Sequence, residues 1–326
     1  MRKHIVVNYA KRLHEKHSLS LPVDLEKVAR EYAQLKYTDI PFEIDGISAN
    51  LKKKGVKPSI IVNTMKARRR QRFTLAHEIG HVIIPWHMGT IFDITDIASS
   101  CAVSYWQMEE EANAFATELL MPTSWLQELI IQDTNLARLT SKIINLADVS
   151  ALAATLRLRS ELPPNYIFIV VNMSDIVTYS GRSNGTYTTS VAIGTSCDIQ
   201  MEYPHAESVC EFSILSEKYY WIKMPVATPL PSVHYRPWRI ILEQILEEIS
   251  DDSDQRNLLK RQLNGVLGFA NGSLKREGCY EEKLYASCMQ RLSSKRHLEA
   301  LTSHHDFSEF LTSKVKDIVS KRNADG

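Results

Sequence analysis

Arg72-Phe-Thr-Leu-Ala-His-Glu-Ile-Gly-His81, continued by Val82-Ile-Ile-Pro85, is the stretch from which the rest of the chain can be read. Phe73, Leu75, Ala76, Ile79, Val82 and Ile83 predict a mostly buried helix, which Pro85 stops. His77 and His81 stand four residues apart on it, so their imidazoles leave the same face and can share one zinc ion. Glu78 lies one residue round from the first histidine, where it can take a proton from water held by such an ion without ligating the ion itself. A third ligand has to come from elsewhere in the chain.

Composition narrows the setting. At 326 residues the chain is long for one core and predicts two or three units. With 24% charged and 44% hydrophobic residues it reads as an ordinary globular protein, and a formal net charge of +1 removes any global electrostatic case for nucleic acid or membrane as the main partner. The five cysteines are scattered and never spaced as C-x-x-C, which predicts thiols in a reducing compartment. The start, Met1 to Ala10, reads as neither signal peptide nor anchor, and a cytoplasmic protein is the expectation.

Around the central helix, residues 4–17 and 22–29 carry helical spacing, and 42–51 and 59–63 read as two strands of a hairpin joined through Lys52-Lys-Lys-Gly55. The lysines read as a solvated turn. Lys66 to Arg72 holds five basic residues in seven and reads as an exposed helix start rather than a phosphate-binding surface. Residues 87–104 read as a long loop or short helix, with His87 a surface or capping residue just past the helix end. Trp106 to Met121 is a second buried helix, stopped by Pro122. Its Glu109, Glu110 and Glu111 offer a carboxylate that could complete a metal site.

Arg72 to His81 followed by Glu109-Glu-Glu-Ala-Asn-Ala-Phe-Ala-Thr-Glu-Leu-Leu-Met-Pro122 resembles the ImmA/IrrE family of metallopeptidases. The resemblance covers about residues 20–125. It implies a zincin-like fold and selective cleavage of a helix-turn-helix repressor in a phage, mobile-element or stress response. It also implies, by matching residues, that Glu109 is the third zinc ligand and that Asn113 sits behind the site, hydrogen-bonding a ligand. Glu110 and Glu111 stay open as alternatives.

Helices at 123–132, 136–146 and 149–158 follow, the last two similar to the helix-turn-helix-like segment of that family. With only Arg157 and Arg159 to offer, they read as scaffold or docking surface, and DNA binding is not expected. Beyond Leu162-Pro-Pro-Asn165, strands are predicted at 166–172, 186–193, 209–215 and 219–224, with a turn at 180–185. Helices are predicted at 238–249, 255–271, 280–301 and 306–321, and His304-His305 reads as solvated. The whole is an α+β chain. It comprises a mainly helical peptidase domain with a small hairpin or sheet (1–125), a helix-turn-helix-like segment (126–162), a β-rich domain (163–235) with an antiparallel sheet, and a helical C-terminal region (236–326). Zinc is the expected cofactor and a protein the expected substrate. The alternative is a non-proteolytic module, binding repressor or DNA, with an inactive or structural metal site.

Overall fold

The computed structural model describes residues 2–94, 102–232, 236–274, 281–293 and 295–324. The fold is α+β, and the chain divides into two compact units, 1–161 and 162–326. Among the described residues no single helix is long and apolar enough to cross a membrane.

In the first unit, α1 (Lys3–His17) and α2 (Leu25–Tyr32) precede three strands, β1 (Gln34–Thr38), β2 (Ile44–Leu51) and β3 (Ser59–Asn63). The central helix α3 (Arg68–Ile83), β4 (Gly89–Ile94) and α4 (Ala102–Leu120) come next, and α5 (Thr123–Gln132), α6 (Leu136–Ala147) and α7 (Ala151–Glu161) complete the unit. Asp24 caps α2 by accepting from the Lys27 N–H at 3.1 Å, which supplies one of the bonds a helix start lacks.

The expected hairpin is present as the antiparallel pair β2 and β3, but it lies inside a four-stranded sheet ordered β1-β3-β2-β4. β1 runs parallel to β3, and β4 antiparallel to β2. Two strands were therefore invisible to pattern reading. Gln34-Leu-Lys-Tyr-Thr38 has no buried position in its strand, so it carries no alternation, and the expected loop beyond His87 begins instead as the edge strand β4. Residues 95–101 of that loop lie outside the described residues. Asn63, at the end of β3, is fully buried and ties the sheet together: its side chain donates to the Ile40 and Ile44 carbonyls and accepts from the Ile40 and Met65 amides.

Helix α3 is buried continuously from Thr74 to Val82, because the sheet covers it on one side and α4 on the other. The approach of α4 is close at Gly80, where an added Cβ would lie 3.0 Å from a ring carbon of Phe115. Lys52 reaches from the end of β2 to the Val82 carbonyl and lies 3.5 Å from that of His81, a cation at the helix C-terminus. Lys52 is exposed in the turn like its neighbours Lys53 and Lys54, and only its ammonium reaches the helix end.

The basic run at the start of α3 is consumed within the unit. Asp148 receives Arg68 at 2.6 Å, Arg69 at 3.5 Å and Arg72 at 3.7 Å, while Arg70 and Lys66 meet Asp45. Asp148 begins the turn between α6 and α7, in a left-handed conformation with φ 51°, and the two helices are bent by 117°. That is helix-turn-helix geometry. Arg157 of α7 is held by Glu118 at 2.9 Å and Glu161 at 2.7 Å.

The second unit begins with β5 (Tyr166–Val171), β6 (Val177–Arg182), the single-turn helix α8 (Ile199–Glu202), β7 (Ser208–Ile214) and β8 (Glu217–Lys223). They form an antiparallel sheet ordered β6-β5-β8-β7. The strand expected at 186–193 is not one; its place in the sheet is taken by β6, which includes part of the expected turn. The reason lies in side chains. Ser180 donates to the Val191 carbonyl at 2.6 Å, and Arg182 approaches the Tyr187 and Thr188 carbonyls, so this segment is held irregularly rather than by a backbone ladder.

Helices α9 (Trp238–Ile249), α10 (Ser253–Ser273), α11 (Glu281–Ser293), α12 (Glu299–Thr302) and α13 (Phe307–Ala324) share one core built on residues such as Leu246, Leu263, Leu284, Phe310 and Val315. The single helix expected over 280–301 is broken after Ser293. His304, expected to be solvated, is 2.9 Å from Glu248. Cys197, Cys210 and Cys288 are thiols, and Cys101 and Cys279 lie outside the described residues.

Phe115 fills the seam between α3 and α4 and is fully buried. Phe115→Ala is expected to cost the first unit about 3–5 kcal/mol, read as a shift in its urea unfolding transition. An unshifted transition would contradict the packing described.

Candidate metal centre

The i, i+4 spacing on α3 places His77 and His81 one turn apart, both essentially buried, with their Nε2 atoms 3.0 Å from each other. Glu109 enters from α4. Its Oε2 is 3.0 Å from His77 Nε2 and its Oε1 3.4 Å from His81 Nε2. The three ligand atoms lie within 4.8 Å of one another. Glu109 Oε1 is buried without a hydrogen-bond donor, an arrangement a cation would satisfy. Two imidazole nitrogens and a carboxylate suit a divalent metal of zinc-like preference.

The histidine tautomer also fits. His77 Nδ1 is 3.0 Å from Asn113 Oδ1, an oxygen that can only accept, so Nδ1 carries the proton and Nε2 offers its lone pair toward Glu109 and His81. Asn113 is one helical turn beyond Glu109, so the same face of α4 brings both to the site. The other two glutamates separate. Glu111 turns away, its Oε2 2.6 Å from Trp86 Nε1 and 3.3 Å from His87 Nε2. Glu110 is exposed.

Glu78 is 1% exposed and packs against β2. Ser48 Oγ donates to its Oε2 at 2.5 Å, and Gly46 leaves the space its other oxygen occupies. A Cβ on Gly46 would lie 2.5 Å from Glu78 Oε1 and 2.6 Å from Thr74 Cγ2. Sequence reading missed Gly46 and Ser48, because nothing in a strand pattern marks which residue faces a given helical side chain. It also missed His87. Expected at the surface, His87 is completely buried, with Nδ1 2.8 Å from His81 Nδ1.

Electrostatics follow burial. Removal from water pushes His81 down to about 3, against the pull of Glu109, and His87 down to about 4, against Glu111. Burial raises Glu109, but the neighbouring imidazoles of His77 and His81 outweigh it and bring the carboxyl to about 2.

With this geometry, residues 22–159 match the IrrE N-terminal-like peptidase domain. Over 115 residues the chain is 30% identical to the radiation response metalloprotease IrrE of Deinococcus deserti, covering 35% of this chain and 41% of the relative. Over 111 residues it is 32% identical to the radiation response metalloprotease IrrE of Deinococcus radiodurans, covering 34% of each. The match thus spans less than half the length of these curated relatives. The matched stretch contains His77, His81, Glu78, Glu109 and Asn113, and ends just before the boundary between the two units.

Two predictions follow from the site. Gly46→Ala is expected to displace Glu78 while leaving the His77, His81 and Glu109 positions intact, so that metal stoichiometry is kept; its loss would place Gly46 elsewhere in the site's support. The second concerns pH. His81 and His87 have folded pKa values below the histidine reference of 6.5, so the unfolded chain binds more protons between the two values. Stability of the metal-free protein is therefore lost as pH falls through 6.5 toward 4 and 3, with Glu109 adding to the loss between 4.5 and 2. The melting temperature should fall between about pH 7 and pH 5, and a flat profile would contradict neutral buried histidines.

Proposed function

We propose that the chain is a zinc endopeptidase in which His77, His81 and Glu109 hold the metal and Glu78 is the general base. The convergence of His77 Nε2, His81 Nε2 and a Glu109 oxygen, with Glu78 on the same helix, carries this reading. Among the described residues there are three protein ligands rather than four, the pattern of a catalytic site that keeps one position for water or substrate. Zinc bound there would bring the pKa of a water molecule toward about 7 and polarise a peptide carbonyl. Glu78 accepts the water proton as the carbonyl carbon is attacked, and then delivers it to the leaving amine nitrogen. Ser48, hydrogen-bonded to Glu78 Oε2, fixes the carboxylate against β2. Asn113 fixes the ring of His77.

The substrate is a protein, and we infer a regulator of the helix-turn-helix class, cut in a stress, phage or mobile-element response in the cytoplasm. The family resemblance supports this context, as does the similarity to radiation response metalloproteases. Sheet topology shifts where an extended substrate segment could add. β3 is an interior strand, so the open edge on the β2 side of the sheet is β4, which follows α3 directly.

A second reading, a binding module built on α6 and α7, draws on their 117° bend. Its DNA-binding form is disfavoured. Arg68, Arg69 and Arg72 are engaged by Asp148, and Arg157 by Glu118 and Glu161, which leaves few cations for phosphate.

Co-expression with the product of a neighbouring gene, above all a small helix-turn-helix protein, tests the proposal. Wild type should yield a new fragment, Glu78→Gln should bind zinc with cleavage reduced at least about 100-fold, and His81→Ala should lose both. Undiminished cleavage by Glu78→Gln would sink the assignment.

A further inference from the structure

Behind the two histidines of α3 the hydrogen bonding is of two kinds. At His77, Nδ1 is backed by the amide of Asn113. His81 is backed by a chain that runs through the protein interior to the start of α1. Its Nδ1 is 2.8 Å from His87 Nδ1, and His87 Nε2 is 3.3 Å from Glu111 Oε2. Trp86 Nε1 donates to the same oxygen at 2.6 Å, and the Arg2 backbone N–H donates to Glu111 Oε1 at 3.2 Å. The Arg2 guanidinium lies 4.6 Å from the centre of the Trp86 ring. His87 and Glu111 are 0% and 1% exposed.

Donor and acceptor chemistry gives this chain one direction. The Glu111 carboxylate can only accept, so His87 Nε2 must carry a proton. A neutral His87 then has a bare Nδ1, which can only accept, so the proton between the two rings belongs to His81 Nδ1. His81 is left with its lone pair on Nε2, the atom that faces His77 and Glu109. A cation held between Nε2 and Glu109 would relieve the lone pair on that side, whereas the opposite polarity would set a bare His87 Nε2 against Glu111 and a proton on the Nε2 that faces the metal position. Trp86 and Arg2 also donate to Glu111 and hold it as the fixed end of the chain, away from the metal position.

We propose that His87 and Glu111 are positioning residues of the metal centre. They lock His81 in its Nδ1–H tautomer and in the ring orientation that aims Nε2 at the metal. The inference rests on reading His77, His81 and Glu109 as the metal ligands. Through Trp86 and Arg2 it also ties the geometry of His81 to α1, which precedes the stretch matched by the family.

The test is metal affinity in the full chain, measured for zinc by competition with a chromophoric chelator, together with the visible absorption of the cobalt(II) form. His87→Leu keeps a buried apolar volume but removes both ring nitrogens. It should weaken zinc binding about 10–100-fold and change the cobalt spectrum. His87→Gln should recover part of the loss, because its amide can accept from His81 and donate to Glu111. Glu111→Gln, nearly isosteric, should weaken binding in the same direction, and it carries the test if His87→Leu loses its cooperative thermal transition. Wild-type affinity and an unchanged cobalt spectrum in folded His87→Leu or Glu111→Gln would overturn the proposal while leaving the metal site standing. Failure of the wild type to bind zinc, or full binding by His81→Ala, would instead refute the metal-site reading and this inference with it.

Discussion

Two imidazoles and a carboxylate sit buried within van der Waals distance of one another, and the rest of the first unit is arranged to keep them there. Polar groups out of water are costly unless they find a partner, and three neighbours supply one. Asn113 serves His77, His87 serves His81, and Ser48 serves Glu78. The sheet contributes β2 as the wall against which Glu78 rests, while α4 carries Glu109 and Asn113 on a single face. Position in the site is thus set by pairs of elements. No one helix contains it.

What could be read in advance was what is local or already known from relatives. His77, His81 and Glu78 follow from a five-residue spacing on one helix, and they need no tertiary information. Glu109 among three successive glutamates needed the family pattern, since nothing in the sequence separates it from Glu111. The structure separates them by partner: Glu109 faces the histidines of α3, and Glu111 faces Trp86 and His87. His87 was misplaced for a physical reason. A histidine after a helix-ending proline sits at the surface unless something buries it, and the carboxylate that meets His87, Glu111, lies on another helix, α4. β1 and β6 failed likewise, one for lack of alternation and the other because a glycine and a serine late in the strand imitate a turn.

The basic run ahead of α3 shows how composition misleads at short range. Five cations in seven residues look like a surface waiting for phosphate, yet Asp148 alone faces three of them from the turn between α6 and α7. Each of these partly exposed pairs contributes little by itself. Together they tie the first turn of the metal-bearing helix to the helix-turn-helix-like segment. Any partner that docks on that segment would press on a point linked to α3.

α3 and α4 approach closely at Gly80, inside the histidine motif itself, where the Phe115 ring occupies the place a side chain would take. The two unspecified positions of such a motif are therefore not interchangeable in this chain. One of them measures out the gap between the helices, and with it the reach of Glu109. Transplanting the five-residue motif into another helical scaffold would carry over the histidines but not the distance at which an opposing carboxylate meets them. The portable unit is larger: a notch on one helix, the ring that fills it on the other, and the carboxylate six residues before that ring.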